Sequence, residues 1–310
     1  MRPFAFVLLA LLLALPAAAQ KRIALTFDDV PRQRGGFFTS EDRTARLIAA
    51  LKAAKVKQAA FFINPARLET PDGQGGEARI SAYVAAGHVI ANHSFSHPAL
   101  TAVSADTYLA DIDKGERWLN GRAGYRPWFR FPYLDEGGAD KAKRDSIRTG
   151  LKARGLRNGY VTADGNDWNL EQLTIDAVKA GKVMDMVALR RLYLQTQLSA
   201  VDYHDALARK TLGRSPAHVL LLHETDLAAL YIEDLVTELR HDGWTIITAD
   251  QAFADPINKA MPDVPFAAGT LIGSMAWATD VQPPLAPVWI TENLSSYLFR
   301  RRVLKEADPK

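Results

Sequence analysis

Two adjacent carboxylates, Asp28 and Asp29, close the apolar run Ile23-Ala24-Leu25-Thr26-Phe27, and Pro31 stops the strand that this run predicts. Neighbouring acids repel, so both stay charged only beside a cation. That favours one acid as a metal ligand and the other as a base. On its own the stretch reads first as an Asp-Asp-Val-Pro turn capping a strand. His93 and His97 change the balance. Four residues apart in His-Ser-Phe-Ser-His, they are expected on one side of a helical turn, aimed at one metal. No Glu follows the first His, so this is not a zincin helix. Two histidines and one aspartate leave coordination open for water, as a catalytic zinc requires.

Three more groups stand at similar places. Arg130, in Arg-Phe-Pro-Tyr133, ends a predicted strand and could hold an acid charged, or be a surface Arg before a turn. Asp164-Gly165-Asn166-Asp167-Trp168 follows a fourth strand and reads as a turn, or as a calcium loop lacking its remaining ligands. His223 ends the apolar run Leu220-Leu221-Leu222, where an isolated His is usually a satisfied core residue. Each signal is weak alone. Together, five fall at successive strand ends, where parallel α/β folds place their sites.

The elements that must position them alternate. Helical spacing runs over 40–54, 77–86, 107–119, 139–154 and 227–240, with one or two long helices over 184–212. Strand patterns cover 59–64, 88–92, 128–131, 159–163, 218–223 and 244–248, and the Gly- and Pro-rich 70–76 is a loop. Strands alternating with helices predict parallel βα units, doubly wound or closed into a barrel. Beyond Pro256 the periodicity dissolves, and 256–310 is expected to be an extension packed on the domain.

Composition narrows the chemistry. The 310 residues are 48% hydrophobic and 24% charged, ordinary for a globular protein. With no cysteine, thiolate ligands and disulfides are excluded, so any metal must be held by His, Asp or Glu. A net charge of +3, dispersed along the chain, gives no footprint for nucleic acid. Arg2, the apolar run Phe4 to Leu15 and the small Ala17 and Ala19 read as a secretory signal over 1–19, cleaved after Ala19. No later segment is apolar enough to span a membrane. The mature chain is therefore expected to be secreted or periplasmic.

With those motifs in order, the chain resembles the polysaccharide deacetylases that share the NodB-like homology domain, carbohydrate esterase family 4. Thr26-Phe27-Asp28-Asp29, His93 to His97, Arg130 to Tyr133, Asp164 to Trp168 and Leu221-Leu222-His223 carry the resemblance, over roughly residues 22–250. It implies a distorted (β/α)7-type barrel within 20–255, a divalent metal, usually zinc, and removal of N-acetyl groups from aminosugars in chitin-like or peptidoglycan chains. It implies Asp29, His93 and His97 as metal ligands, Asp28 as base and Arg130 as its orienting partner. Tyr133 would offer its backbone N–H to the oxyanion, Asp167 would orient the acid His223, and Trp168 and Leu221 would wall the acetyl pocket. Departures are Val30, where the family usually has Gly, the enlarged 169–217 segment and the tail after Pro256. Other readings are hydrolysis of a non-sugar amide or imide, or a catalytically silent carbohydrate-binding protein.

Overall fold

The computed structural model describes residues 21–285 and 291–307; the predicted signal at 1–19 lies outside the described residues. Strands are β1 Arg22–Val30, β2 Ala60–Ile63, β3 Val89–Asn92, β4 Tyr125–Phe129, β5 Asp135–Gly138, β6 Arg157–Asn158, β7 Ala163–Asp164, β8 Ala217–His223, β9 Thr245–Ile246 and β10 Ala267–Ala268. Helices are α1 Ser40–Ala53, α2 Gly76–Ala85, α3 Ala105–Leu119, α4 Lys141–Ala153, α5 Asp167–Lys179, α6 Met186–Leu212, α7 Asp226–His241, α8 Ala249–Ala252, α9 Leu271–Ala278 and α10 Glu292–Leu298.

Among the described residues, one parallel sheet runs β6-β4-β3-β2-β1-β8-β7, with β9 added to β1. β1 lies at its middle because it is buried on both faces: Ile23, Ala24, Leu25, Thr26 and Phe27 have no exposed surface. Its two faces meet different cores. Leu25 and Phe27 join Leu47, Leu51 and Phe61 beneath the helices. Ala24 instead faces Ala60, Phe62, Ala91 and Trp128, small and large residues filling a curled interior. The result is the distorted (β/α)7-type barrel.

The curl does not close by a regular ladder. The expected strand over 159–163 is broken into β6 and β7, and the residues between them cross the seam. Gly159 N–H donates to Phe129 O (2.7 Å) on one side, and Thr162 N–H to Val219 O (3.0 Å) on the other. Gly159 is required here, since a Cβ would lie 2.8 Å from the Phe62 ring and 3.2 Å from Phe129 O. Strand propensity was overridden because four residues must span two edges at once. The seam leaves the Gly159 and Tyr160 carbonyls pointing inward, and Arg130 takes both through Nε and Nη2 (3.5 Å to Tyr160 O).

Beyond Pro256 the structure differs from the dissolved pattern. α9 and α10 are 8 and 7 residues long, too short for a periodicity to stand out in sequence. Ile257, Leu271, Ile272 and Ala276 share a core with Ala24 and Phe62, and Leu298, Phe299 and Val303 share the other. β10 pairs antiparallel with β5.

The loop after β1 is tied to the rest of the fold by a buried acid. Asp226 accepts from the N–H groups of Phe37 (2.7 Å) and Phe38 (3.0 Å) and is fully buried. A Cβ on Gly35 would lie 2.3 Å from an oxygen of that carboxylate. Gly35→Ala is therefore expected to push Asp226 off its donors and cost about 1–3 kcal/mol. Thermal unfolding against the parent chain checks it; an unchanged melting temperature would mean the loop shifts freely.

Candidate active site

The C-terminal ends of β1, β3, β4, β7 and β8 meet in one cleft of about 440 Å³. In the β1–β8 ladder Asp28 is the direct partner of His223, so those two side chains share the rim by register alone. Asp29, His93, His97, Tyr133, Trp168 and Leu221 also line the cleft. Arg130 and Asp167 stand behind it, each buried against one lining residue.

Asp29 sits at φ 69°, an uncommon conformation for a residue with a Cβ, whereas Val30 does not. That turn lets two successive carboxylates enter the same cleft, which a regular strand would forbid. Asp28 Oδ1 and Oδ2 take Arg130 Nη1 at 2.9 and 3.1 Å. Burial pushes the Asp28 carboxyl up from its usual value, with Arg130 opposing. Asp29 is the reverse case: burial raises it, but His97 and Arg67 overcome that and hold it well below the usual range. Arg67 Nη2 and Arg32 Nη1 each lie 3.2 Å from an Asp29 oxygen. The environments of two adjacent acids thus split their roles: one is a fixed anion, the other can exchange a proton nearer neutrality.

The histidines reach that anion from a loop. Residues 93–97 are not helical; Ser94 and His97 have φ 64° and 62°, so the helical-turn expectation is corrected. The loop is built on side-chain acceptors instead. Asn92 Oδ1 takes Ser94 N–H (2.6 Å), Ser94 Oγ takes His97 N–H (3.0 Å), and Asp111 takes both Phe95 and Ser96 N–H. His93 Nδ1 bonds Arg130 O at 2.8 Å, which turns Nε2 toward the acids. His97 Nε2 lies 3.0 Å and His93 Nε2 3.8 Å from Asp29 Oδ1.

The donor atoms of Asp29, His93 and His97 all lie within 4.8 Å of one another. Asp29 Oδ1 is buried without a well-directed hydrogen bond, although His97 and Arg67 nitrogens lie close to it. Burial also holds the His93 imidazole well below its usual pKa, hence neutral with a lone pair to give. A carboxylate and two imidazole nitrogens, one of them on a ring anchored through its other nitrogen, are the donor set a divalent cation takes. Residues 93, 97 and 29 fit the group.

Across the cleft, His223 Nδ1 bonds Asp167 Oδ1 at 2.7 Å, and His223 N–H donates to the other oxygen at 2.8 Å. Asp167 is fully buried at the first position of α5. Burial opposes charge on His223, but the Asp167 carboxylate wins and raises its pKa. Leu221 is 4% exposed and forms floor, whereas Tyr133, at φ 58°, is 68% exposed beside His97, with ring centroids 4.6 Å apart.

Sequence reasoning did not find Arg32, Arg67 or Glu292. Arg32 is three residues from Asp29 and could have been flagged by spacing. Arg67 and Glu292 reach the site only through the tertiary fold.

The family profile described as polysaccharide deacetylase matches residues 16–156. A peptidoglycan-N-acetylglucosamine deacetylase of Bacillus cereus is 36% identical over 112 residues, 36% of this chain and 36% of that protein. The corresponding enzyme PgdA of Listeria monocytogenes is 25% identical over 242 residues, 78% of this chain and 41% of its own length. The chain spans less than half the length of these curated relatives. Among solved structures, a CE4 family pseudoenzyme from Bacillus anthracis aligns with a TM-score of 0.53 at 18% identity, over 75% of this chain and 65% of that one. That likeness bears on the fold alone.

Proposed function

We propose that this chain, whose residues 16–156 match the polysaccharide deacetylase profile, hydrolyses N-acetyl groups from an aminosugar polymer or oligomer, with a divalent cation held by Asp29, His93 and His97. The observation that carries the reading is the convergence, in one cleft, of that donor set with a base on one side and an acid on the other. Because likeness of fold extends to a pseudoenzyme, the reading rests on residues: Asp28, Asp29, His93, His97 and His223 line one cleft.

When bound, the cation, with zinc the best match to a His-His-Asp set, supplies Lewis acidity toward the amide carbonyl and the attacking water. Asp28 takes the water's proton; its raised pKa brings it nearer the working pH, and Arg130 fixes which lone pair faces the cleft. Tyr133, which lines the cleft, would offer its backbone N–H to the developing oxyanion. His223, whose protonated form the Asp167 carboxylate favours, gives its proton to the departing amine. Trp168 and Leu221 exclude water around the acetyl methyl. The leader expected from Arg2, the apolar run Phe4 to Leu15 and the small Ala17 and Ala19 supports an exported protein meeting its glycan outside the cytoplasm. The test is acetate release by zinc-loaded protein from chitooligosaccharides and from peptidoglycan. No acetate from either would overturn the reading.

A pH profile probes the acid separately. His223 must be protonated for amine departure, so activity is lost as pH rises through its raised pKa. Asp167→Asn removes the charge that raises it, and the alkaline limb of kcat should move to lower pH while metal content stays unchanged. An alkaline limb that stays in place would remove Asp167 from this role.

A further inference from the structure

Glu292, at the first position of α10, lines the same cleft as Asp28, Asp29, His93, His97 and His223. It is the acid there without a partner. Asp28 and Asp29 are engaged by Arg130, Arg67, Arg32 and His97, and Asp164 accepts from Asn166 N–H at 2.8 Å. The Glu292 carboxylate has neither a hydrogen bond nor an ion pair among the described residues, and it is exposed to solvent. Arg32, the cationic residue sharing the cleft wall, is already committed to Asp29.

The position of this acid is not accidental to the fold. Asn169, one residue after Trp168, reaches across from α5 with Nδ2. It donates to Glu292 O (3.3 Å), Ser295 Oγ (2.9 Å) and Ser296 Oγ (3.2 Å). Ser295 is itself buried. The first turn of α10 is therefore clamped beside the acetyl pocket, and its acid faces whatever sugar enters. An unpaired anion carried on a held turn at a cleft wall attracts cations, accepts hydrogen bonds from hydroxyls and repels anions.

Resting on the deacetylase reading, we propose that Glu292 is a specificity-determining residue that favours glycans bearing neutral or ammonium-carrying sugars beside the scissile acetamide over glycans bearing a carboxylate there. Glucosamine units already deacetylated offer the ammonium; N-acetylmuramic acid units, through their lactyl group, offer the carboxylate. The residue acts on which chain is accepted, not on the bond that breaks.

The experiment compares kcat/KM for three oligomers of equal length: fully N-acetylated, partly deacetylated, and one containing N-acetylmuramic acid. Ratios are taken within each variant, so a general loss of folded protein cancels. The parent chain should prefer the ammonium-bearing oligomer to the carboxylate-bearing one. Glu292→Gln should narrow that ratio by roughly three- to tenfold, and Glu292→Lys should invert it. Both shifts should shrink at high salt, because an exposed charge is screened. Acetate release with the ratio unchanged in both variants at low salt overturns this inference alone. A ratio that shifts equally at low and high salt also overturns it, in favour of a steric role. No acetate from any oligomer with the parent chain overturns the deacetylase reading and this inference with it.

Discussion

His93→Ala is expected to yield a protein that retains no zinc after dialysis and releases acetate at least roughly 10³-fold more slowly than its parent. His93 does two jobs at once. Its Nε2 completes the donor set with Asp29 and His97, and its Nδ1 is anchored on Arg130 O. Deleting the ring leaves two ligands, and it frees the backbone of the residue that holds the base. Added zinc should restore little. Because His93 is 2% exposed, the deletion also opens a buried space, so unfolding must be measured beside metal content. His97 gives the cleaner control: its side chain is 16% exposed, and His97→Ala should lose metal with a smaller stability penalty. Zinc bound in stoichiometric amount to either folded variant would sink the assignment of these ligands.

The pair His93 and His97 illustrates how much of the site was legible. Residue types and spacing pointed to a common ligand, yet the helical geometry expected for them is absent. What brings the two rings together is a loop with two left-handed residues, stabilised by Asn92 and Asp111. Asp111 lies on α3, and nothing local to 93–97 announces it. The alternation of strands and helices was readable because buried parallel strands are apolar throughout and helices repeat at 3.6 residues. The break between β6 and β7 was not, since Tyr160, Val161 and Thr162 are ordinary strand residues and the segment bends because it bridges two sheet edges. Arg67 and Glu292 escaped for the same reason: a charged residue acquires a role from its neighbours, and their neighbours are distant in the chain.

The second large effect separates the two acids. Asp28→Asn keeps volume and one of the two acceptors that face Arg130 Nη1, but removes the carboxylate proposed to accept the water's proton. Activity should fall by roughly 10²–10⁴-fold. Zinc should remain near one equivalent, because Asp29, His93 and His97 are untouched. Arg130 loses its counter-charge in a fully buried setting, which would by itself destabilise the fold. The same guanidinium also donates to Gly159 and Tyr160 carbonyls and to Thr26 Oγ1 (3.3 Å), and its carbon lies 4.1 Å from the Phe62 ring centroid. It therefore stays anchored in the seam, and the variant should fold with a lowered but measurable melting temperature. Elemental analysis beside acetate release, on Asp28→Asn and Asp29→Asn in parallel, makes the decision. If Asp28→Asn is metal-free while Asp29→Asn keeps its metal, the roles of the two neighbours are exchanged. If Asp28→Asn holds zinc and remains fully active, the proton is taken by another group, and Asp164, raised to about 6 by burial on the same rim, is the next acid to replace.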